Sequence, residues 1–248
     1  YDETVFVGDH IQSMTGEEAF NWLGSEYTRN SSVEGLENIP KDGKFLIVSN
    51  HPMGAADAIA LYHTIYPARN DLFFFANELF VYLLGAFHDL LAPVMWSKEK
   101  ETHSANKVTL ERLSVFFGDG RPGIIFPSGR LSRLTFFGLW DRPWEKTPIA
   151  LAKKYNFPLI PVYVEGRNSW FFYFASYVNK QLRDVSQLNE LFNKRDKNIS
   201  IKIGKPVSVS SLSDNSDIAI NQLRYKSESL RKKALLKLNR FIYLRNLR

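Results

Sequence analysis

Short apolar runs alternate along the chain with amphipathic segments of about twelve residues. Each apolar run has the length of a buried strand, and several lead directly into clusters of Gly, Pro, Asn or Ser. Strands that alternate with helices of this length imply crossover connections and a mainly parallel sheet. The predicted strands are 33–40, 45–49, 71–76, 92–96, 123–126, 159–164 and 199–203.

The helices are predicted from apolar positions three and four residues apart and from their capping residues. Thr15 and Glu18 form a capping box, so a helix should run from there to about 22–27. Ser213 or Asp214 can cap a long final helix. The other predicted helices are 55–66, 78–91, 101–117 and 144–155.

These elements predict an α/β fold with a single domain, whose mainly parallel central sheet is flanked by helices. Within it we distinguish an N-terminal helical segment at 1–32 and a core at 33–210. A basic C-terminal helix at 211–248 should pack on or beside that core.

Composition narrows the possible chemistry. The chain is 44% hydrophobic and 14% aromatic, enough for a sizeable core, and it has no Cys for disulfides or thiolate catalysis. The apolar run at 79–87 falls short of the about 20 residues that span a membrane. No signal-like start is present, but Tyr1 is not a natural initiator, which leaves room for an upstream segment. The histidines have no metal-ligand spacing, so we predict no metal.

Positive charge is concentrated at the C-terminal end. The net charge is +6, whereas residues 219–248 carry nine Arg and Lys against Glu228 alone. A basic end of this kind can meet nucleic acid or anionic lipid, or can simply be the solvated face of a helix.

Candidate chemistry lies in the stretch 45–57, where an apolar strand runs into Asn-His-Pro-Met-Gly and then a helical pattern. Loops at the carboxyl ends of strands bind ligands in open α/β sheets. His51 and Asp57 are therefore a candidate acid/base pair. The alternative is that His51 ends the strand and Asp57 caps the helix.

The motif Asn-His-Pro-x-Gly-x-x-Asp at 50–57 resembles the catalytic motif of the lysophospholipid acyltransferase superfamily. The commonest form is His-x4-Asp, and this sequence is similar to a bacterial hemolysin-like or ornithine-lipid-type branch that carries His-x5-Asp. Gly54 can adopt backbone angles closed to other residues and so absorb the extra position. The resemblance implies that His51 and Asp57 are catalytic and that Asn50 and Gly54 belong to the substrate-binding loop.

Two further blocks extend the resemblance. Phe-Pro-Ser-Gly-Arg at 126–130 looks like the family's Phe-Pro-Glu-Gly block, with Ser128 in place of Glu, and Ile-Pro-Val at 160–162 resembles a later block near the acyl chain. Glu-Gly-Arg-Asn-Ser at 165–169 is similar to an extension of the hemolysin-like branch. The loops 49–57, 126–133 and 164–169 should meet at one sheet edge. The substrate-binding residues predicted in the second and third loops are Ser128, Gly129, Arg130, Arg133, Arg167 and Asn168. For Arg130 and Arg133 a surface ion pair, for example with Asp141, is an equal alternative.

The implied activity is transfer of a fatty acyl group from acyl-carrier protein or coenzyme A to the hydroxyl of a lysolipid, with no bound cofactor. His51 would deprotonate the acceptor, which supplies the nucleophile itself. N-acylation of an amino acid or amino-lipid is a second possibility, and a basic nucleic-acid-binding protein is a possibility from another class. Residues 219–248 have few aromatics and no nucleic-acid motif, which argues against the nucleic-acid-binding alternative.

The acyltransferase interpretation requires access to lipid. We expect a peripheral protein on the cytoplasmic side of the inner membrane, which binds an anionic surface through the cations of the final helix. Lys232, Lys233 and Lys237 are the cations for which we predict this role. Five consecutive aromatics at 170–174 are the alternative anchor, with ordinary core packing expected for at least half of them.

Overall fold

A computed structural model describes residues 2–77, 85–94, 103–136, 138–179, 186–187 and 189–231. Nine strands lie within these residues. They are β1 Ser31–Glu34, β2 Leu46–Ser49, β3 Phe73–Asn77, β4 Leu91–Val94, β5 Gly123–Ile125, β6 Arg133–Thr135, β7 Gly138–Trp140, β8 Leu159–Glu165 and β9 Ile199–Ile203.

Seven α-helices are described in the same ranges. They are α1 Asp2–Ile11, α2 Gly16–Tyr27, α3 Ala55–Ile65, α4 His103–Gly118, α5 Thr147–Tyr155, α6 Trp170–Val178 and α7 Ser216–Glu228. Three short 3-10 helices join them, Leu36–Asn38, Gly85–Leu90 and Val209–Ser211. None of the described helices is both long enough and apolar enough to cross a membrane.

One sheet of seven described strands organises the fold, in the order β1-β9-β8-β2-β5-β3-β4. All neighbours are parallel except β8 and β9, which are antiparallel. Strand β2 lies between β8 and β5, with Leu46 opposite Leu159 on one side and Gly123 on the other. The predicted single α/β domain with a mainly parallel sheet is confirmed.

Both faces of the sheet are covered, because successive side chains of a strand point to opposite faces. Ile47 belongs to the core shared with α2 and α3, whereas Leu46 and Val48 belong to the core shared with α4, α5 and α7. All four residues of β2 are buried. A strand buried on both faces reads as a continuous apolar run, which is why β2 was predictable.

Several predicted boundaries differ from the structure. The strand predicted at 33–40 ends at Glu34, because Gly35 has φ +84° and turns the chain into a 3-10 helix. The helix predicted at 144–155 begins only at Thr147. Asn215, rather than Ser213 or Asp214, caps α7 by accepting hydrogen bonds from the backbone N–H groups of the first turn.

Three predicted helices extend beyond the described residues, and for the one predicted at 101–117 only 101–102 lie outside them. Of the helix predicted at 78–91, residues 85–90 are a 3-10 helix and β4 already begins at Leu91, while 78–84 lie outside the described residues. Of the predicted long basic final helix, α7 ends at Glu228 with Ser229 as its C-cap. Residues 232–248, with Lys232, Lys233 and Lys237, lie outside the described residues.

Three elements were not predicted. They are α1, the hairpin formed by β6 and β7, and α6. Each hairpin strand has three residues, too few to show a period. In α6 aromatic residues occupy both faces, which hides the helical spacing, although Ser169 caps it by accepting a hydrogen bond from Phe172 N–H.

Candidate active site

The three predicted loops meet at the carboxyl edge of the sheet, since β8, β2 and β5 are parallel neighbours. The Asn50 side chain donates to the carbonyl of Val164 (2.9 Å) and accepts from its N–H (2.7 Å). The Ser132 N–H donates to the carbonyl of His51 at 2.7 Å. The Asn50 side chain therefore ties the first loop to the third, and a backbone hydrogen bond ties it to the second, so their predicted convergence is confirmed.

His51 and Asp57 lie together in the first loop. Nδ1 of His51 is 3.0 Å from Oδ2 of Asp57, and the side chains are 19% and 0% exposed. Nδ1 forms no hydrogen bond within the described residues. Catalytic hydrogen bonds are often long or poorly aligned before substrate binds, so this geometry is compatible with an acid/base pair. The imidazole stacks on Phe126, with ring centroids 4.1 Å apart and an interplanar angle of 22°. This packing fixes the ring while leaving part of it open to solvent.

The extra residue of the His-x5-Asp spacing is accommodated at Gly54. Its φ of +83° is open to glycine, and a Cβ there would lie 3.2 Å from Leu131. Gly54 is the N-cap of α3, so Asp57 falls at the third helical position. Oδ2 of Asp57 accepts the backbone N–H groups of Met53 (2.8 Å) and Gly54 (3.0 Å). Helix capping and approach to His51 are thus combined in one carboxylate oxygen.

Asp141 contacts the backbone of His51, whereas the sequence suggested it only as an ion-pair partner of Arg130 or Arg133. Its Oδ1 accepts the His51 N–H (3.2 Å) and the Ser132 hydroxyl, and Oδ2 accepts Trp144 Nε1–H (2.9 Å). Burial raises the pKa of Asp141 above that of an ordinary carboxyl, against the opposing effect of these hydrogen bonds. Asp141 directly follows β7, so its position beside His51 could be predicted only if the hairpin was predicted first.

We expect Asp141→Asn to destabilise the protein. Asn has one acceptor oxygen, so at least one of the donors that meet the carboxylate loses its acceptor, at a cost of about 1–3 kcal/mol. For a chain of this size each 1 kcal/mol shifts the melting temperature by about 2–4 °C. Adding Trp144→Phe removes one donor and should recover part of the loss. Thermal unfolding of both variants is the measurement. Equal melting temperatures of Asp141→Asn and the parent would show that these hydrogen bonds to Asp141 do not stabilise the fold.

The second loop forms a tight turn. Ser128 is buried and donates from Oγ to the carbonyl of Arg130 at 2.8 Å, while Gly129 has φ +59°. Arg130 and Arg133 are exposed. Among the described residues, the Asp141 carboxylate accepts hydrogen bonds from His51, Ser132 and Trp144. Within this part of the chain it bonds to neither Arg130 nor Arg133. Both cations are thus presented to solvent beside the candidate pair.

A cavity of about 880 Å³ extends from the first loop to the third. Asn50, Pro52 and Met53 line it together with hairpin residues and 163–170. Asn168 lines it as well, is 3% exposed, and has no hydrogen-bond partner for either polar side-chain atom within the described ranges. The exposed Arg167 lies over the Trp170 ring at 5.4 Å. The third loop therefore presents an unpaired amide and a cation at the cavity.

A buried ion pair supports this third loop. Oε2 of Glu190 accepts the Ser169 N–H (2.8 Å) and Nζ of Lys194 (3.0 Å), and both charged side chains are nearly inaccessible. Burial alone would raise the pKa of Glu190, but hydrogen bonds from Ser169 and Lys194 bring it below its ordinary value. The pair was missed, although its spacing of four residues is a usable signal.

No group of three His, Cys, Asp or Glu side chains in the described part of the chain is arranged to hold a metal ion. The described side chains at this edge include a histidine beside a fixed carboxylate, exposed guanidinium groups and a buried amide.

Comparison with known proteins shows the family of this chain. Residues 18–241 match the model of the family described as Acyltransferase, and the chain belongs to that family.

Two similar curated proteins are lyso-glycine lipid O-acyltransferases. The one from Phocaeicola vulgatus is 31% identical over 182 residues, which cover 71% of this chain and 63% of the relative. The one from Bacteroides thetaiotaomicron is 32% identical over 184 residues, which cover 71% and 65%. The chain thus spans just under two thirds of the length of either relative.

Among solved structures, the chain resembles the 1-acyl-sn-glycerophosphate (LPA) acyltransferase PlsC from Thermotoga maritima. The TM-score is 0.53 at 20% identity, over 96% of this chain and 88% of the other. At this identity the likeness establishes the fold.

Proposed function

We propose that the protein transfers a fatty acyl group from a thioester donor, acyl-carrier protein or coenzyme A, to the hydroxyl of a lysolipid. The observation that carries this is the pairing of a part-exposed His51 with a fully buried, backbone-bound Asp57 at the carboxyl edge of the sheet. Membership of the acyltransferase family supports it.

In the proposed reaction, Nε2 of His51 takes the proton of the acceptor hydroxyl as the oxygen attacks the thioester carbonyl. The carbon–sulfur bond then breaks, and the departing thiolate receives the proton back from the imidazolium. The products are an ester and a free thiol. Asp57 orients Nδ1–H and stabilises the imidazolium while it exists. Such a base typically contributes about 10²–10⁴-fold.

We propose that the acceptor carries an amino-acid headgroup. The two curated relatives are named for a glycine lipid, and Asn168 offers both a donor and an acceptor that are unpaired in the described residues. An N-acylated amino acid presents an amide with the complementary pair of groups and a carboxylate, which Arg167 or Arg130 can bind bidentately. The Ser128 hydroxyl donates to the Arg130 carbonyl, a contact within the turn of the second loop.

The test is acyl transfer by the purified protein from acyl-coenzyme A and from acyl-carrier protein, followed by mass spectrometry. The acceptors are a lyso-glycine lipid, lysophosphatidic acid and free glycine. We expect a diacylated glycine lipid whose new bond is an ester, cleaved by mild base. A base-stable product from free glycine would establish N-acylation instead, and transfer to lysophosphatidic acid alone would refute the proposed headgroup.

Arg130 provides a further test, because its exposed guanidinium lies just past the turn of the second loop. We expect Arg130→Lys to raise the Michaelis constant for a charged acceptor more than it lowers turnover, since a lysine cannot bind a carboxylate bidentately. Arg29→Lys is the matched control, an exposed arginine that precedes β1 and pairs with Asp196. An equal loss with a neutral acceptor analogue would show that Arg130 is structural.

A further inference from the structure

Helix α6 presents a continuous aromatic face to solvent. Trp170, Phe171, Phe174 and Tyr177 are 67%, 65%, 66% and 92% exposed, and Val178 continues the row at 58%. Their spacing places them on one side of the helix. Single exposed apolar residues are ordinary on protein surfaces, whereas a contiguous patch of this kind marks an interaction surface.

The opposite face fixes α6 to the domain. Phe172 and Ala175 are buried, and Ser169 caps the first turn. Ser169 is itself bonded to Glu190 of the buried ion pair. The aromatic face is therefore displayed by a firmly attached helix, which starts directly after the loop that carries Asn168.

The hairpin adds a second exposed apolar element at the same cavity. Phe136, in its turn, is 98% exposed, and Leu134 is also exposed. Leu134, Leu139 and Trp140 from the hairpin line the cavity together with Trp170 from α6. Both apolar projections thus belong to elements that border the candidate active site.

Cations accompany these apolar groups. Arg167 lies over the ring of Trp170, and Arg130 and Arg133 are exposed beside the hairpin. Aromatic side chains bordered by Arg suit the zone between acyl chains and anionic headgroups, where Trp and Tyr are favoured. A surface for a second protein would be expected to carry polar groups of both signs around its apolar centre.

We propose that the aromatic face of α6, together with Phe136, docks the protein on a lipid bilayer so that the cavity opens at headgroup depth. A single-chain lipid then reaches His51 without leaving the bilayer. The proposal rests on the proposed function only for the identity of the lipid delivered, because docking itself needs no catalysis.

The test is flotation of the purified protein with vesicles of phosphatidylcholine and phosphatidylglycerol at low and high salt. The variant is Phe171→Ser/Phe174→Ser/Tyr177→Ser, which spares Trp170 because that side chain lines the cavity. The control is Leu110→Ser/Val115→Ser, which changes exposed apolar residues on α4. All five changed residues are exposed, so neither variant should lose stability.

We expect the triple variant to bind vesicles at least about tenfold more weakly at both salt concentrations, since apolar burial is not screened by salt. The control should bind like the parent. Acyl transfer to an acceptor embedded in vesicles should fall with the triple variant, while transfer to a short-chain, water-soluble acceptor should not.

Two results would overturn the docking surface. One is vesicle binding by the triple variant equal to that of the parent. The other is a parent that self-associates in solution while the triple variant is monomeric, which would assign the face to a second copy of the chain. Vesicle binding without acyl transfer to any acceptor would instead refute the proposed function and leave the docking surface intact.

Discussion

His51→Ala should reduce acyl transfer by at least about 10²-fold, to near background, because the imidazole of His51 takes the proton of the acceptor hydroxyl in the proposed reaction. The fold should survive the change. The backbone N–H and carbonyl of His51 keep their partners, Asp141 and Ser132, whatever side chain is present. The ring loses its contact with Phe126, which should shift the melting temperature by only a few degrees.

The matched control is His63→Ala, a second part-buried histidine, on α3, whose pKa is lowered by burial. The His63 side chain packs against Gly24 of α2. Because α2 is not part of the three loops that form the candidate site, activity should be kept. Turnover and thermal unfolding of both variants are measured together. If His51→Ala keeps most of its activity, a different group must deprotonate the acceptor.

The parts of the site that the sequence predicts are those with a local signal. Strand β2 reads as a buried apolar run, and the Asn-His-Pro-x-Gly corner and the helix that follows it are adjacent in sequence. Gly54 was expected to absorb the extra residue before Asp57, and its φ of +83° is the conformation that this requires. Strands that alternate with helices along the chain form a mainly parallel sheet. The three loops each follow such a strand, so they were expected to meet at one edge of the sheet.

The sequence does not show that the supporting residues meet at the site. Asp141 reaches His51 through a hairpin with two three-residue strands, which are too short for a period to emerge. Glu190 and Lys194 are buried charges, and the sequence does not show whether a charge is buried. Asn50 was predicted as a substrate-binding residue, and the structure shows its amide bonded to Val164, a contact between residues far apart in sequence.

Asp57→Asn separates the two roles of this carboxylate. Oδ2 accepts two backbone N–H groups, from Met53 and Gly54, so the amide oxygen of Asn should take that place. The amide nitrogen then occupies the site of Oδ1, which has no partner in the described residues. The N-terminal cap of α3 is therefore kept and the shape changes little, while the negative charge beside His51 is lost.

We expect Asp57→Asn to lower turnover by about 10²–10⁴-fold, because the amide oxygen can still accept Nδ1–H but an uncharged partner does not stabilise the imidazolium. Its melting temperature should stay close to that of the parent.

Asp57→Ala is the informative comparison, since it also removes the acceptor for two N–H groups and should cost a further about 1–3 kcal/mol of stability. Steady-state kinetics and thermal unfolding separate these effects. A loss of stability in Asp57→Asn as large as in Asp57→Ala, with proportionate loss of activity, would mean that Asp57 serves the helix rather than the reaction. Full activity of Asp57→Asn would instead leave His51 acting without a charged partner.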